Sequence, residues 1–164
     1  MIYACGLKEP CLKCGNCCRF RLIKSNLSDE EELKIRRAIF YKKSILYPYS
    51  LQRITISITP KEKTILEEEA KRLKVKLKLL PNKVLVKDNG FEIIDYFIDA
   101  DVCPFLTKGN LCMIYEKRPY VCRMFPKKPK FKTYPDKSPK IKFEEALDLF
   151  LNEFLNIERK ITQR

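Results

Sequence analysis

The sequence predicts a small single-domain α+β protein whose cysteine-rich loops bind metal. Its 164 residues match the usual size of one domain, and 45% of them are hydrophobic, which is enough for an ordinary core. Segments with helical periodicity and capping signals are interspersed with short segments of alternating polar and apolar residues. Eight cysteines lie mainly in two distant segments. We therefore expect about three helices against short, mainly antiparallel strands, with both cysteine segments converging on one face.

Three segments carry helix signals. Ser28-Asp-Glu-Glu31 has the form of a capping box, which predicts a helix over 28–43. Thr59-Pro60 places a capping threonine before a proline at the first helical position, which predicts a second helix over 60–74. Apolar residues from Phe143 onwards recur at spacings of three and four, which predicts a last helix over 143–161.

The strand signals are short and depend on alternation and on turn residues. Two alternating segments, 19–24 and 53–58, are typical of half-buried strands. Pro81-Asn82 and Asp88-Asn89-Gly90 are turn signals, the second being a good hairpin signal. These turns predict three further strands, at 75–80, 83–87 and 91–98.

The chain divides into three parts by composition. Residues 1–126 contain every cysteine and are interpreted as a cysteine-cluster metal-binding domain. Residues 127–142, called the basic arm below, are rich in lysine and proline and are interpreted as a linker or arm. Residues 143–164 are expected to form a C-terminal helix packed on the domain.

Composition excludes several classes of protein. There is no histidine, so a Ser-His-Asp triad and a histidine-ligated catalytic zinc are excluded. The four glycines form neither a P-loop nor a dinucleotide fingerprint. The sequence shows no long apolar run and no signal peptide, which predicts a cytoplasmic protein without membrane contact. Its Lys-, Glu- and Ile-rich, 34% charged composition is thermophile-like.

The first cysteine segment, Cys11-Leu-Lys-Cys14-Gly15-Asn-Cys17-Cys18, places four thiols within one short stretch. Thiolates on a tight turn can converge on zinc or an iron–sulfur cluster, whereas pairing them with each other strains disulfide geometry. Because neighbouring side chains point apart in extended backbone, we expect Cys17 and Cys18 to differ in their ligation. Disulfides remain the alternative, since intracellular proteins of hyperthermophiles do form them.

The second cysteine segment covers residues 101–126 and contributes Cys103, Cys112 and Cys122. Gly109-Asn110 predicts a turn that brings the first two together. Arg118 and Arg123 are candidates for offsetting the negative charge of a thiolate cluster. Together with the first segment, the predicted metal ligands are Cys11, Cys14, Cys17, Cys18, Cys103, Cys112 and Cys122. Cys5 is left unassigned.

Metal identity stays open between two donor-set interpretations. Eight cysteines could form two Cys₄ zinc sites. Three thiols in a Cys-x-x-Cys-x-x-Cys turn plus a remote Cys-Pro are instead typical of a ferredoxin-type 4Fe–4S loop, although this run ends in adjacent cysteines. We favour the iron–sulfur interpretation.

The two segments together resemble the YkgJ-type cysteine-cluster family, the CxxCxxCC proteins described as zinc- or iron-chelating domains. The matching elements are Cys11-x-x-Cys14-Gly-x-Cys17-Cys18, Cys103-Pro-Phe-Leu, Gly109-x-x-Cys112-x-Ile-Tyr115-Glu116-x-Arg118-Pro119 and Cys122-Arg123-x-Phe-Pro126. The resemblance covers the two ends of 11–126 and leaves Cys5, the basic arm and the last helix outside. It implies a metal or iron–sulfur site built from both segments. Flagellin lysine methylases have a similar cysteine region, but this chain lacks their extra length.

The leading hypothesis is therefore an intracellular protein that holds an iron–sulfur cluster or zinc through thiolates from both ends of the domain, with a redox or protein-modifying role as an option. The alternative is a zinc-stabilised binding module. It would use the positive surface, with a net charge of +13, to hold nucleic acid or a protein partner through Lys127–Lys142. Catalytic residues are not assigned, and Tyr115 and Glu116 are interpreted as structural.

Overall fold

The computed structural model describes residues 15–20, 27–125, 127 and 129–162, with side chains described as far as residue 156. Helices and an antiparallel sheet make up a small single-domain α+β fold, as predicted. Cys5, Cys11, Cys14 and most of the strand predicted over 19–24 lie outside the described residues. No described helix is both long enough and apolar enough to cross a membrane.

The sheet has three strands in the order β1-β2-β3, and both pairings are antiparallel. The strands are β1 (Ile45–Leu46), β2 (Leu79–Lys87) and β3 (Gly90–Ile98). The predicted hairpin is confirmed, since β2 and β3 pair from Leu79↔Ile98 to Lys87↔Gly90 across a turn at Asp88-Asn89. The short β1 has no counterpart in the sequence predictions.

Two strand predictions are wrong. Residues 75–78 are not in a strand, and only 79–80 of the strand predicted over 75–80 join the segment predicted over 83–87 in the single strand β2. A register shift around Asn82 lets the chain pass Pro81 without breaking its pairing to β3. Strand β1 pairs with Val84 and Leu85, so among the described strands β2 has only β3 beside Pro81, where the missing N–H is tolerated.

The segment 53–58 is also not a strand. The chain turns at residues 51–53, and only Ile58 pairs with the sheet, in an isolated bridge to Tyr96. Arg53 instead binds the Asp99 carboxylate, and the Thr55 hydroxyl donates to the carbonyl of Ile98. Side-chain bonds thus replace the backbone ladder that the alternation predicted.

Four helices are described, one more than predicted: α1 (Asp29–Lys43), α2 (Pro60–Leu73), α3 (Tyr120–Met124) and α4 (Phe143–Thr162). Both predicted N-caps form complete capping boxes, Ser28 with Glu31 and Thr59 with Glu62. The additional helix α3, which was not predicted, begins directly after Pro119.

The core consists of two clusters of buried side chains. The first lies beside the cysteine segments and joins α2 and β3 to them; it contains Phe20, Ile58, Leu66, Ala70, Ile98, Phe105 and Ile114. The second joins α1, the sheet and α4; it contains Phe40, Leu46, Val84, Val86, Phe143, Ala146 and Phe150. The apolar face of α4 is thus packed against the rest of the fold.

Candidate metal centre

The first cysteine segment ends in a tight turn that glycine makes possible. Gly15 has φ +73° and precedes a 3₁₀ turn at Asn16–Cys18, in which the Cys18 N–H donates to the Gly15 carbonyl at 3.0 Å. A Cβ at Gly15 would lie 2.7 Å from an Arg19 nitrogen and 3.1 Å from Asn110 Oδ1. The left-handed backbone angle therefore favours glycine here, and a Cβ would also oblige the Arg19 side chain to move.

This turn brings Cys17 and Cys18 closer than expected. Their sulfurs are 3.9 Å apart, because the 3₁₀ turn replaces the extended backbone in which adjacent side chains diverge. Two thiolates bound to one tetrahedral zinc at about 2.3 Å lie roughly 3.8 Å apart. The geometric reason for expecting them to differ in ligation is therefore wrong.

A short antiparallel bridge joins the first segment to the second. Arg19 pairs with Val102, and on either side the Phe20 N–H donates to Asp101 at 2.8 Å and the Cys103 N–H donates to Cys18 at 2.7 Å. Cys18 and Cys103 are consequently neighbours across the bridge, although they are far apart in sequence.

The turn predicted at Gly109-Asn110 is present. The Asn110 N–H donates to the Thr107 carbonyl, and Leu106 pairs with Cys112 in an antiparallel bridge. The Asn110 side chain also accepts a hydrogen bond from Arg19 at 2.6 Å, which ties this turn to the first segment. The loop is thus held closed at the position where Cys112 follows it.

Two carboxylates on α2 hold the chain that leads to Cys122. Glu62 completes the capping box of α2 and also accepts the N–H of Tyr120, the first residue of α3, at 2.6 Å. Glu69, which is buried, accepts from Lys117 at 2.6 Å and from Arg72. These bonds hold the pKa of Glu69 down at about 2, the bond from Arg72 having the largest effect. Helix α2 is therefore the platform for the second segment.

A cavity of about 240 Å³ lies where these elements meet, and all five described cysteines line it. They are Cys17, Cys18, Cys103, Cys112 and Cys122. All five are partly buried. Its inner wall is apolar and includes Leu66, Ile98, Phe105 and Ile114 from the first core cluster.

Three of the thiols in this cavity, Cys17, Cys18 and Cys122, have pKa values raised above the usual range. The hydrogen bond with Cys18, followed by burial, raises the pKa of Cys17 far above its usual range. A hydrogen bond with Cys103 is the largest effect that raises the pKa of Cys18 to about 12. Burial, followed by the neighbouring thiols, raises the pKa of Cys122 to about 12. A metal ion would therefore displace protons on binding.

Arg118 counters this effect, whereas Arg123 lies outside the cavity. Arg118 lines the cavity, its guanidinium lies 3.6 Å from the centre of the Tyr115 ring, and its charge lowers the pKa of Cys17 and Cys122. Arg123 is exposed, does not line the cavity, and donates to the carbonyl of Arg118 at 2.9 Å. Arg118 alone of the two is placed to offset thiolate charge directly.

The donor set fits a thiolate-bound metal, but the described thiols do not form a closed site. All described candidate ligands are sulfur, which suits zinc and iron–sulfur clusters. Among the described residues, no three cysteine or carboxylate side chains are grouped closely enough to hold an ion. Closure would need side-chain rotation or thiols from residues 1–14, where Cys11 and Cys14 lie.

Comparison with known families agrees with this convergence of thiols. The family model of the CxxCxxCC proteins, described as a "Putative zinc- or iron-chelating domain", matches residues 10–145, well over half of the chain. The chain belongs to the CxxCxxCC family. Searches of curated proteins and of solved structures return no match.

The CxxCxxCC match confirms the resemblance and corrects its extent. Sequence analysis ended the resemblance at residue 126, whereas the match continues through the basic arm to residue 145 in α4. The arm is accordingly part of the matched region. The family description supports binding of zinc or iron in general and does not specify a cluster.

Sequence analysis missed several residues that shape this CxxCxxCC site. Glu62 carried a readable signal, because Thr59-x-x-Glu62 is itself a capping-box pattern. Its second bond, to Tyr120, has no signal in the sequence. The same holds for the contact between Arg19 and Asn110, and for the apolar wall, whose residues come from elements far apart in the chain.

Proposed function

We propose that this CxxCxxCC protein binds zinc or iron through thiolates from both cysteine segments. The ligands would be drawn from Cys11, Cys14, Cys17, Cys18, Cys103, Cys112 and Cys122. The observation that carries the proposal is the convergence of five described thiols on one cavity, although two of them precede the other three by more than 80 residues. A positive ion would stabilise the thiolate form of these closely grouped and poorly solvated side chains.

An iron–sulfur cluster is the form of the centre that we favour. A cavity of about 240 Å³ is several times larger than the roughly 30 Å³ that one water molecule occupies in the liquid, and a single ion needs no more. Its apolar wall and Arg118, the one cation among the described lining residues, resemble the poorly solvated setting in which clusters are held. An iron–sulfur centre would supply one-electron chemistry, which is the basis for a redox or protein-modifying role.

Metal analysis of anaerobically purified protein tests this proposal. Iron and acid-labile sulfide in a coloured protein support the cluster. Colourless protein with one or two equivalents of zinc supports a zinc centre and with it a structural role. Metal-free protein with oxidised cysteines would contradict both.

Single cysteine variants test the ligand set. Cys122→Ser should lose most of the metal, because Cys122 lines the cavity. Cys5→Ser is the matched control: it is the same substitution at a cysteine outside the CxxCxxCC segments, and it should keep the full metal content. Equal loss in both variants would contradict the proposed ligand set.

A further inference from the structure

The basic arm is fastened to the domain mainly by its backbone. The Lys137 N–H donates to the carbonyl of Lys42 at 2.9 Å, and the Ser44 hydroxyl donates to the carbonyl of Lys137 at 2.6 Å. Lys43 donates to the carbonyl of Tyr134 at 2.7 Å. Residues 129–139 contain no helix or strand, so these anchors hold an extended segment against the end of α1.

Backbone anchoring leaves the lysine side chains turned outwards. Lys130, Lys132, Lys137 and Lys142 are all exposed. Within the described part of the chain, none of the four makes an ion pair, whereas Asp136 pairs with Lys43 and Lys140 pairs with Asp88. The arm therefore presents a row of exposed positive charges, of which Lys137 and Lys142 lie close enough to Asp88 and Glu144 to lower the pKa of those carboxyls without pairing with them.

An aromatic ring lies within this row. Phe131 stands between Lys130 and Lys132, and its side chain is 51% exposed. Lys83 approaches its ring at 5.2 Å, and Lys132 approaches the Tyr134 ring at 5.3 Å. Exposed aromatic rings set among positive charges are the means by which proteins hold unpaired bases between phosphate contacts.

We propose that the basic arm is a binding strip for single-stranded nucleic acid, with Phe131 as a stacking platform for a base. The arm has no arginine to read guanine edges, and its extended form differs from the helix or two-stranded ribbon that enters a major groove. Lysines neutralise phosphates without reading sequence, so binding should be insensitive to base sequence. The proposal does not depend on the identity of the metal.

The salt dependence of binding gives its expected size. Each lysine contact to a single strand contributes about −0.7 to the slope of log affinity against log salt, so four lysines give about −2.8. Affinity should then fall about fiftyfold between about 50 and 200 mM salt.

Fluorescence anisotropy with labelled oligothymidine and oligouridine of about 20 nucleotides tests the proposal on the metal-loaded protein. Phe131→Ala should weaken binding at least fivefold and leave the salt slope unchanged. Lys130→Gln, Lys132→Gln and Lys142→Gln together should reduce the slope by about 2. Phe131 and these lysines are exposed, so the variants should melt with the wild type.

The matched control combines Lys71→Gln, Lys74→Gln and Lys76→Gln, which removes the same charge from exposed lysines around the end of α2. It should leave binding nearly unchanged. Equal loss in both triple variants, a duplex that binds as tightly as the single strand, or unchanged binding by Phe131→Ala would each overturn the proposal. Polyglutamate that competes as well as oligothymidine would point instead to an acidic protein partner and would also overturn it.

Discussion

Replacing Gly15 with alanine should weaken the metal centre without unfolding the domain. Gly15 adopts φ +73°, and an L-residue in the left-handed region costs about 1–2 kcal/mol. The new Cβ would also lie 2.7 Å from an Arg19 nitrogen. Arg19 must then shift, which weakens its 2.6 Å bond to Asn110 at a further cost of about 1 kcal/mol.

These two effects should destabilise the turn that positions Cys17 and Cys18 by about 2–3 kcal/mol, and we expect this destabilisation to appear as lost metal affinity. At about 1.4 kcal/mol per factor of ten, affinity should fall about 30- to 150-fold. Competition with a chromophoric chelator measures this loss under anaerobic conditions, and a urea titration of the metal-free protein checks the fold.

Two other glycines serve as controls for this reasoning. Gly109→Ala should be tolerated, because its nearest neighbour to a new Cβ is Thr107 at 3.8 Å and its φ is not positive. Gly90→Ala places a strained residue, φ +128°, in open space at the β2–β3 hairpin, so it should lower stability but not intrinsic metal affinity. Gly15→Ala with wild-type affinity, or an equal loss in Gly109→Ala, would refute the account of the turn.

Three further predictions follow from the scaffold. Glu62→Gln should lower the free energy of unfolding by about 1–2 kcal/mol and also lower metal affinity, since Glu62 caps α2 and accepts the Tyr120 N–H. Glu68 is exposed, so Glu68→Gln should change neither quantity in the same urea and chelator assays. Zinc binding should release about one proton per ligating thiol at neutral pH, because Cys18 and Cys122 have pKa values raised to about 12, and zinc affinity should therefore rise with pH. Calorimetry in two buffers of different ionisation enthalpy counts the released protons. A binding enthalpy that does not depend on the buffer would contradict this prediction. Phe150→Ala should lower the free energy of unfolding, measured in urea, by about 3–5 kcal/mol, because Phe150 is buried against Phe91 and Phe154. Leu149 is half-exposed on the same helix, so Leu149→Ala should change this free energy by no more than about 0.5 kcal/mol. Similar losses in the two variants would mean that α4 is not packed through this face.

The predictions from sequence succeeded where local chemistry decides the structure. The starts of α1 and α2 were predicted correctly, because the side chains of Ser28 and Thr59 satisfy N–H groups only three residues away. The hairpin at Asp88-Asn89 was also predicted correctly, because turn residues likewise act on the backbone next to them. The strand predicted over 53–58 was wrong, because alternation shows which residues suit a strand and does not show whether a partner strand is available to pair with them.

For the candidate site too, local patterns could be read from the sequence, whereas contacts between distant segments could not. Each predicted cysteine ligand could be read from sequence, since Cys-x-x-Cys spacing and the Cys103, Cys112 and Cys122 segment each have a recognisable local pattern. The expectation that Cys17 and Cys18 differ in ligation stays a prediction, but its argument assumed extended backbone. The 3₁₀ turn that brings their sulfurs to 3.9 Å follows Gly15, whose left-handed backbone lies beside Arg19 and Asn110.

By itself, the sequence determined the family, the α+β class and the main helices, and it supplied the predicted metal ligands. Only the tertiary structure decided that five thiols share one cavity with Arg118, that Arg123 stays outside it, and that Glu62 and Glu69 on α2 hold the second segment. The physical reason is range. Capping, turn and spacing signals act over a few residues, whereas a cavity wall and a cross-bridge are formed by side chains that meet only after the chain has folded.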